Sequence, residues 1–303
     1  MYLQHFGLTE YPFGLTPNTQ FFCALPAHQE AMNVLMVALH GGEGFIKITG
    51  EVGTGKTMLC RKLLNELGPG FATAYIANPA LSRSELLSSV AEEMGISLEG
   101  PPNPGHLLNR ISGHLLDVAA SGRRLVLVLD EAQAIPPESL ELLRLLTNLE
   151  TESRKLLQIV LFGQPELDVL LARADFRQLR QRITFSYRLR PLRRDETRRY
   201  LSSRLQVAGW AGRDLLTVPA SWLIHSFSRG TPRLLNIIAH KALMVAYGKG
   251  AHRVYASHVR AAAADTEAVR TERGWLPRLW LLALLLATGA GWTLFHGMRE
   301  ALP

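Results

Sequence analysis

The chain has 303 residues, with 33 Lys plus Arg against 26 Asp plus Glu, a formal charge of +7 and 47% hydrophobic residues. That composition excludes a disordered or collagen-like chain, and at about 100–200 residues per domain the length excludes a minimal binding module. The two cysteines, Cys23 and Cys60, cannot build a disulfide framework; Cys60 follows a glycine-rich phosphate-loop pattern, which points to a reducing compartment. The opening MYLQHFGLTE has no basic segment followed by an apolar run and is not read as a secretory signal. The histidines show no spacing with cysteines or acids that suggests zinc.

Short apolar runs alternating with helical patterns predict an α/β fold with a five-stranded parallel sheet and flanking helices. In chain order the predicted elements are a strand at 45–49, a helix at 56–67, a strand at 71–77 and a helix at 82–94 opened by a serine cap. A proline-rich loop follows at 99–105, then strands at 125–129, 156–162 and 183–189 around a helix at 139–149 with leucines on one face. After Pro191 the strand signals stop, and helices at 195–207, 219–226, 232–247 and 255–264 predict a small all-α unit. The expected domains are therefore an α/β unit at 1–190 and a helical lid at 191–268.

Gly50, Glu51, Val52, Gly53, Thr54, Gly55, Lys56 and Thr57 fit GxxxxGK[ST], between a predicted strand and a predicted helix continuing through Met58. Glycines let backbone amides close around phosphates, the lysine reaches the β and γ oxygens, and the threonine hydroxyl suits Mg²⁺. The run LVLVLDEAQ ends a strand with Asp130 and Glu131, adjacent acids that suit a cation and a water respectively. ATP and Mg²⁺ are the expected ligands. The fourth strand ends IVLFGQPEL, which puts Gln164 at a strand tip beside the phosphates, as a group that orients water or senses the γ-phosphate. Arg177, Arg180 and Arg182 crowd before the fifth strand, and an arginine offered to a neighbour's nucleotide would stabilise transition-state charge; Arg182 is the first candidate and Arg180 the second. In SRGTPRLLN, Arg233 starts a lid helix and can reach back to the nucleotide.

From Leu279 to Phe295 the chain runs 17 residues without a charge, with Trp280 and Trp292 near the ends. With its flanks, 276–298, this predicts one transmembrane helix. Arg270, Arg273 and Arg278 precede it and only Arg299 follows, which predicts the bulk of the chain in the cytoplasm. Ala287 and Gly291, four apart, give a weak signal for helix pairing.

Strand, GEVGTGKT, strand, DEAQ, FGQPEL, an arginine pair and GTPRLLN in a helical lid together resemble an AAA+ ATPase over residues 1–265. The opening YLQHFGLTEYPFGLTPNTQFF, HQEAMNVL, DEAQ, GQPEL and LRQRI look like the secretion ATPases of the ExeA/GspA group and the related MSHA-type pilus biogenesis ATPases. The resemblance implies Walker A at Lys56 and Thr57, Walker B at Asp130 and Glu131, sensor 1 at Gln164, a finger at Arg182 and sensor 2 at Arg233. Gln164 departs from the Asn or Thr common at sensor 1. It further implies Phe6 and Phe13 near the adenine, a homo-oligomer, a place at the bacterial inner membrane, and pilus or secretion components as partners. ExeA-type proteins continue past the membrane helix into a peptidoglycan-binding region, whereas eight residues follow Phe295 here, so direct wall binding is not expected.

Transposition helpers and replication initiators carry similar boxes, and 173–204 holds eleven arginines against three acids. DNA binding through that stretch is the alternative expectation.

Overall fold

The computed structural model describes residues 2–97, 104–150, 155–212 and 214–269. Five parallel strands, β1 (Phe45–Gly50), β2 (Phe71–Ile76), β3 (Arg124–Leu129), β4 (Leu157–Gly163) and β5 (Ile183–Leu189), lie in the order β2-β3-β4-β1-β5. Burial follows position in the sheet. The middle strand β4 is buried at every residue, and the edge strand β5 alternates between partly buried and exposed side chains until Leu189. The order also sets the site, because β4 lies between β3 and β1 and brings three strand tips side by side.

Helices cover both faces. In chain order they begin with α1 (Tyr2–Phe6), α2 (Pro26–Gly41) and α3 (Lys56–Glu66), and the last two pack on one face against Ile46, Ile48, Val126, Val128, Val160 and Phe162. On the other face lie α4 (Arg83–Glu93), α5 (Pro104–Ala120) and α6 (Pro137–Leu146), with the short α7 (Glu166–Ala172) and α8 (Arg177–Arg182). The Ser82 cap predicted for α4 is present, paired reciprocally with Glu85. Pro104 and Gly105, read as loop, begin α5; Leu107, Ile111, Leu115 and Val118 recur at helical spacing and bury one face of it. Each such buried side chain contributes about 1.5–3 kcal/mol, enough to override the helix-breaking flavour of its start. Residues 99–103 of that predicted loop lie outside the described residues.

After β5 the chain turns at Pro191 into α9 (Arg194–Val207), α10 (Val218–Ser228), α11 (Pro232–Gly248) and α12 (Ala256–Ala264), the predicted lid. Its core is completed from the other end of the chain: Tyr2, Phe6, Leu8, Phe13, Phe21 and Leu25 are buried with Leu201, Leu205, Leu235 and Leu243. A boundary at 190 alone therefore misplaces residues 2–25, which pack with the lid because their aromatic side chains find their apolar partners there. Thr9 N–H donates to the Ala208 carbonyl at 2.9 Å and Leu192 N–H to that of Gly230 at 2.9 Å, fixing strap and hinge. Among the described residues no helix is long and apolar enough to cross a membrane, and the predicted span at 276–298 lies outside them.

Candidate active site

The turn after β1 closes on itself before α3 begins. Gly53 and Gly55 adopt φ of 78° and 100°, and a Cβ on Gly53 would come within 2.7 Å of Cβ of Arg233. Only glycine allows that approach, and the Arg233 N–H donates to the Gly53 carbonyl at 3.1 Å. The lid is thus bonded directly to the loop. Thr54 is fully buried beneath it, its hydroxyl donating to the Glu51 carbonyl at 2.8 Å, while Glu51 is exposed beside Arg188. Lys56 is buried, and its ammonium donates to the carbonyls of Gly50 at 2.7 Å and Glu51 at 3.1 Å. Burial lowers its pKa, opposed by the charges of Glu131 and Asp130.

A cleft of about 380 Å³ lies over this loop, between sheet and lid. Val52, Gly53, Gly55, Lys56, Thr57, Met58, Glu131, Gln164 and Arg233 line it, so the predicted phosphate loop, second acid, strand-tip glutamine and lid arginine share one site. Asp130 is buried at the tip of β3 with Thr57 as a hydrogen-bond partner; burial raises its pKa and the bond to Thr57 opposes the rise. A buried carboxylate paired with a hydroxyl next to a phosphate loop is an oxygen donor set that fits Mg²⁺.

Glu131 occupies a left-handed conformation, φ 49° and ψ 38°, with its N–H bonded to Asp130 Oδ1 at 2.9 Å. Two amides then hold its carboxylate: Oε2 accepts from Gln133 Nε2 at 2.6 Å and from Gln164 Nε2 at 3.2 Å. Gln133 also accepts the Gln164 N–H at 2.9 Å. The DEAQ box therefore contributes a third side chain that motif spacing left without a role.

His28, at the start of α2, was not singled out from the sequence either. It is buried against the loop, where its Nε2 donates to the Thr54 carbonyl at 3.1 Å, and burial lowers its pKa. Two expectations change. Phe6 and Phe13 are buried in the lid core, and the opening segment reaches the cleft through Leu15, Phe21 and Phe22 instead. Arg182 and Arg180 do not line the cleft of their own chain. Arg182 donates to the carbonyl of Arg144 at 3.2 Å and the hydroxyl of Thr147 at 3.0 Å at the end of α6, whereas Arg180 is exposed.

Residues 39–171 match the AAA domain family. General secretion pathway protein A of Aeromonas hydrophila is 42% identical over 304 residues, covering 99% of this chain; the chain spans 55% of that relative's length. Among solved structures, Cdc6p from Pyrobaculum aerophilum superposes with a TM-score of 0.65 at 20% identity, over 84% of this chain and 70% of that one. The Walker-type ATPase of Pyrococcus abyssi does so at 0.60 and 17%, over 88% and 79%. These two likenesses concern the fold.

Proposed function

The chain belongs to the ExeA/GspA-type AAA ATPases, enzymes that hydrolyse ATP, and on that premise we propose a membrane-tethered ATPase that assembles or localises an envelope machine. The machine is of the type II secretion or type IV, MSHA-like pilus class, and the site lies on the cytoplasmic face of a bacterial inner membrane. The observation that carries the reading is the convergence of Lys56, Glu131, Gln164 and Arg233 on one cleft between sheet and lid. The relative's name supplies the secretion context, and the uncharged run at 279–295 supplies the tether.

The chemistry follows from the groups in place. Loop amides and the start of α3 surround the phosphates, and Lys56 exchanges its carbonyl partners for β and γ oxygens. Thr57 and Asp130 would hold Mg²⁺, which when bound neutralises charge on the phosphates. Glu131, fixed by Gln133 and Gln164, takes a proton from water as its oxygen attacks the γ-phosphorus, and ADP leaves with the broken bond's electrons. Arg233 brings the lid onto the γ-phosphate, so the two units move as the nucleotide changes. A finger from a second copy, Arg180 or Arg182, completes the charge stabilisation and makes the active form an oligomer.

The arginine-rich stretch does not favour the DNA alternative. Arg190 pairs with Glu196, Arg198 with Asp214 and Arg199 with Asp195, while Arg204 is buried. With Arg173 on Asp175 and Arg188 on Glu51, six of the eleven arginines are paired or buried within the chain.

Purification of the full-length Glu131→Gln variant from membranes, followed by mass spectrometry of what accompanies it, tests the assignment. Secretion or pilus inner-membrane proteins are expected. Replication or transposition proteins without envelope components would overturn it.

A further inference from the structure

The lid wall of the cleft carries a hydrogen-bond relay that none of the phosphate chemistry uses. It begins at Arg204 in α9, 4% exposed and bonded to neutral acceptors: Nε to the Pro12 carbonyl, Nη2 to that of Gly14 and Nη1 to the Tyr200 hydroxyl at 2.9 Å. Its guanidinium also lies 4.7 Å from the centre of the Phe21 ring. A guanidinium can only donate, so the Tyr200 oxygen accepts from it and sends its own proton to Asn236 Oδ1, 3.0 Å away.

That polarity fixes the amide. With its carbonyl committed to Tyr200, Asn236 keeps Nδ2 as a donor, and Nδ2 has no acceptor among the described residues. That nitrogen keeps some solvent contact, and Asn236 lines the cleft. Asn236 stands three residues, or about 4.5 Å of helix rise, beyond Arg233, whose backbone touches the phosphate loop. Leu15, Phe21 and Phe22 also line the cleft and supply an apolar surface suited to a flat heterocycle.

We propose that Asn236 reads the base of the nucleotide: Nδ2 donates to N1 of adenine, and Tyr200 and Arg204 are positioning residues that fix which end of the amide is presented. Adenine offers an unprotonated N1 where guanine carries N1–H, so a fixed donor accepts the first and rejects the second. A free amide would rotate and serve either. The inference rests on the reading of this cleft as an ATP site.

Calorimetric titration of full-length chain with ATP and with GTP, in the Glu131→Gln background so that nothing turns over, tests it. Wild-type relay residues should give ATP a preference of about tenfold, one hydrogen bond made against one refused. Asn236→Ala should lower ATP affinity about 5- to 10-fold and leave GTP nearly unchanged. Tyr200→Phe, which keeps the ring and frees the amide, should bring the two affinities to within about twofold. Variants that fold but keep the parental ATP-to-GTP ratio overturn the base reading alone. A parent chain that binds neither nucleotide overturns the reading of the cleft itself.

Discussion

Glu131 sits in a backbone region that costs a residue with a Cβ about 1–2 kcal/mol. Its surroundings hold it there: the N–H is bonded to Asp130, and two amides converge on the carboxylate. The strain turns residue 133 back towards residue 131, so Gln133 stitches the tips of β3 and β4 together through Glu131 and Gln164. Replacing Gln133 by Ala removes one amide from the carboxylate and the acceptor of the Gln164 N–H. We expect kcat to fall about 10- to 100-fold, as misplacement of a catalytic group does, with KM for ATP little changed. Steady-state hydrolysis checks this, and an unchanged kcat would show that Glu131 is positioned without Gln133. The spacing of DEAQ gives no hint of that role, since residues two apart in a strand-like reading merely share a face; the left-handed turn creates the contact, and it is a tertiary outcome. Lys56, Asp130 and Glu131 were legible because their motifs are local in sequence.

At the scale of elements, the pair of Arg190, just after β5, and Glu196 in α9 ties the end of the sheet to the first lid helix. Nη1 and Nη2 meet the two carboxylate oxygens at 2.7 and 2.8 Å, and the Arg193 N–H adds a third bond at 2.7 Å. The Arg190 bond holds the Glu196 carboxyl down to about 2, from an ordinary 4.5. Because the folded pKa is the lower one, this stabilisation is full above about pH 4.5 and is lost as pH falls towards 2. Glu196→Gln should cost about 3 kcal/mol at neutral pH and make the acid limb shallower below pH 4.5, measured by denaturant unfolding across a pH series. An acid limb as steep as the wild type's would assign that limb to other carboxylates. The five strands were readable because buried parallel strands are continuous apolar runs, and observed ends fall within a residue or so of those expected. Lid helices α9 and α11 likewise begin within one residue of expectation, since Pro and Gly mark their borders. The packing of residues 2–25 on the lid was not readable: it joins Tyr2 to His240, Thr9 to Ala208 and Pro12 to Arg204, pairs nearly two hundred or more positions apart that leave no periodic mark.

At the scale of the whole molecule, Lys56, Glu131, Gln164 and Arg233 line one cleft, and the arginines proposed as fingers are not among its lining residues. Neither the exposed Arg180 nor the partly buried Arg182 lines the cleft of its own chain, and of the two Arg180 has the freer reach for the proposed role in a neighbour's site. Hydrolysis per molecule should therefore rise with protein concentration, and Arg180→Ala should flatten the rise with a loss of up to about 10³-fold at the plateau. A rate per molecule that stays constant across concentrations in the unmodified chain would rule out a finger supplied by a partner.

The strap of residues 2–25 has a consequence for the order in which this chain can be made. Its aromatic residues leave the ribosome well before α9 to α12, which bury them and follow residue 190. At about 5–20 residues per second the wait is roughly 10–40 s, during which the sheet can form but the lid core cannot close. For that interval Tyr2, Phe6, Leu8 and Phe13 are apolar surface without their native cover, so the nascent protein's exposure to chaperones and to aggregation is set by this strap.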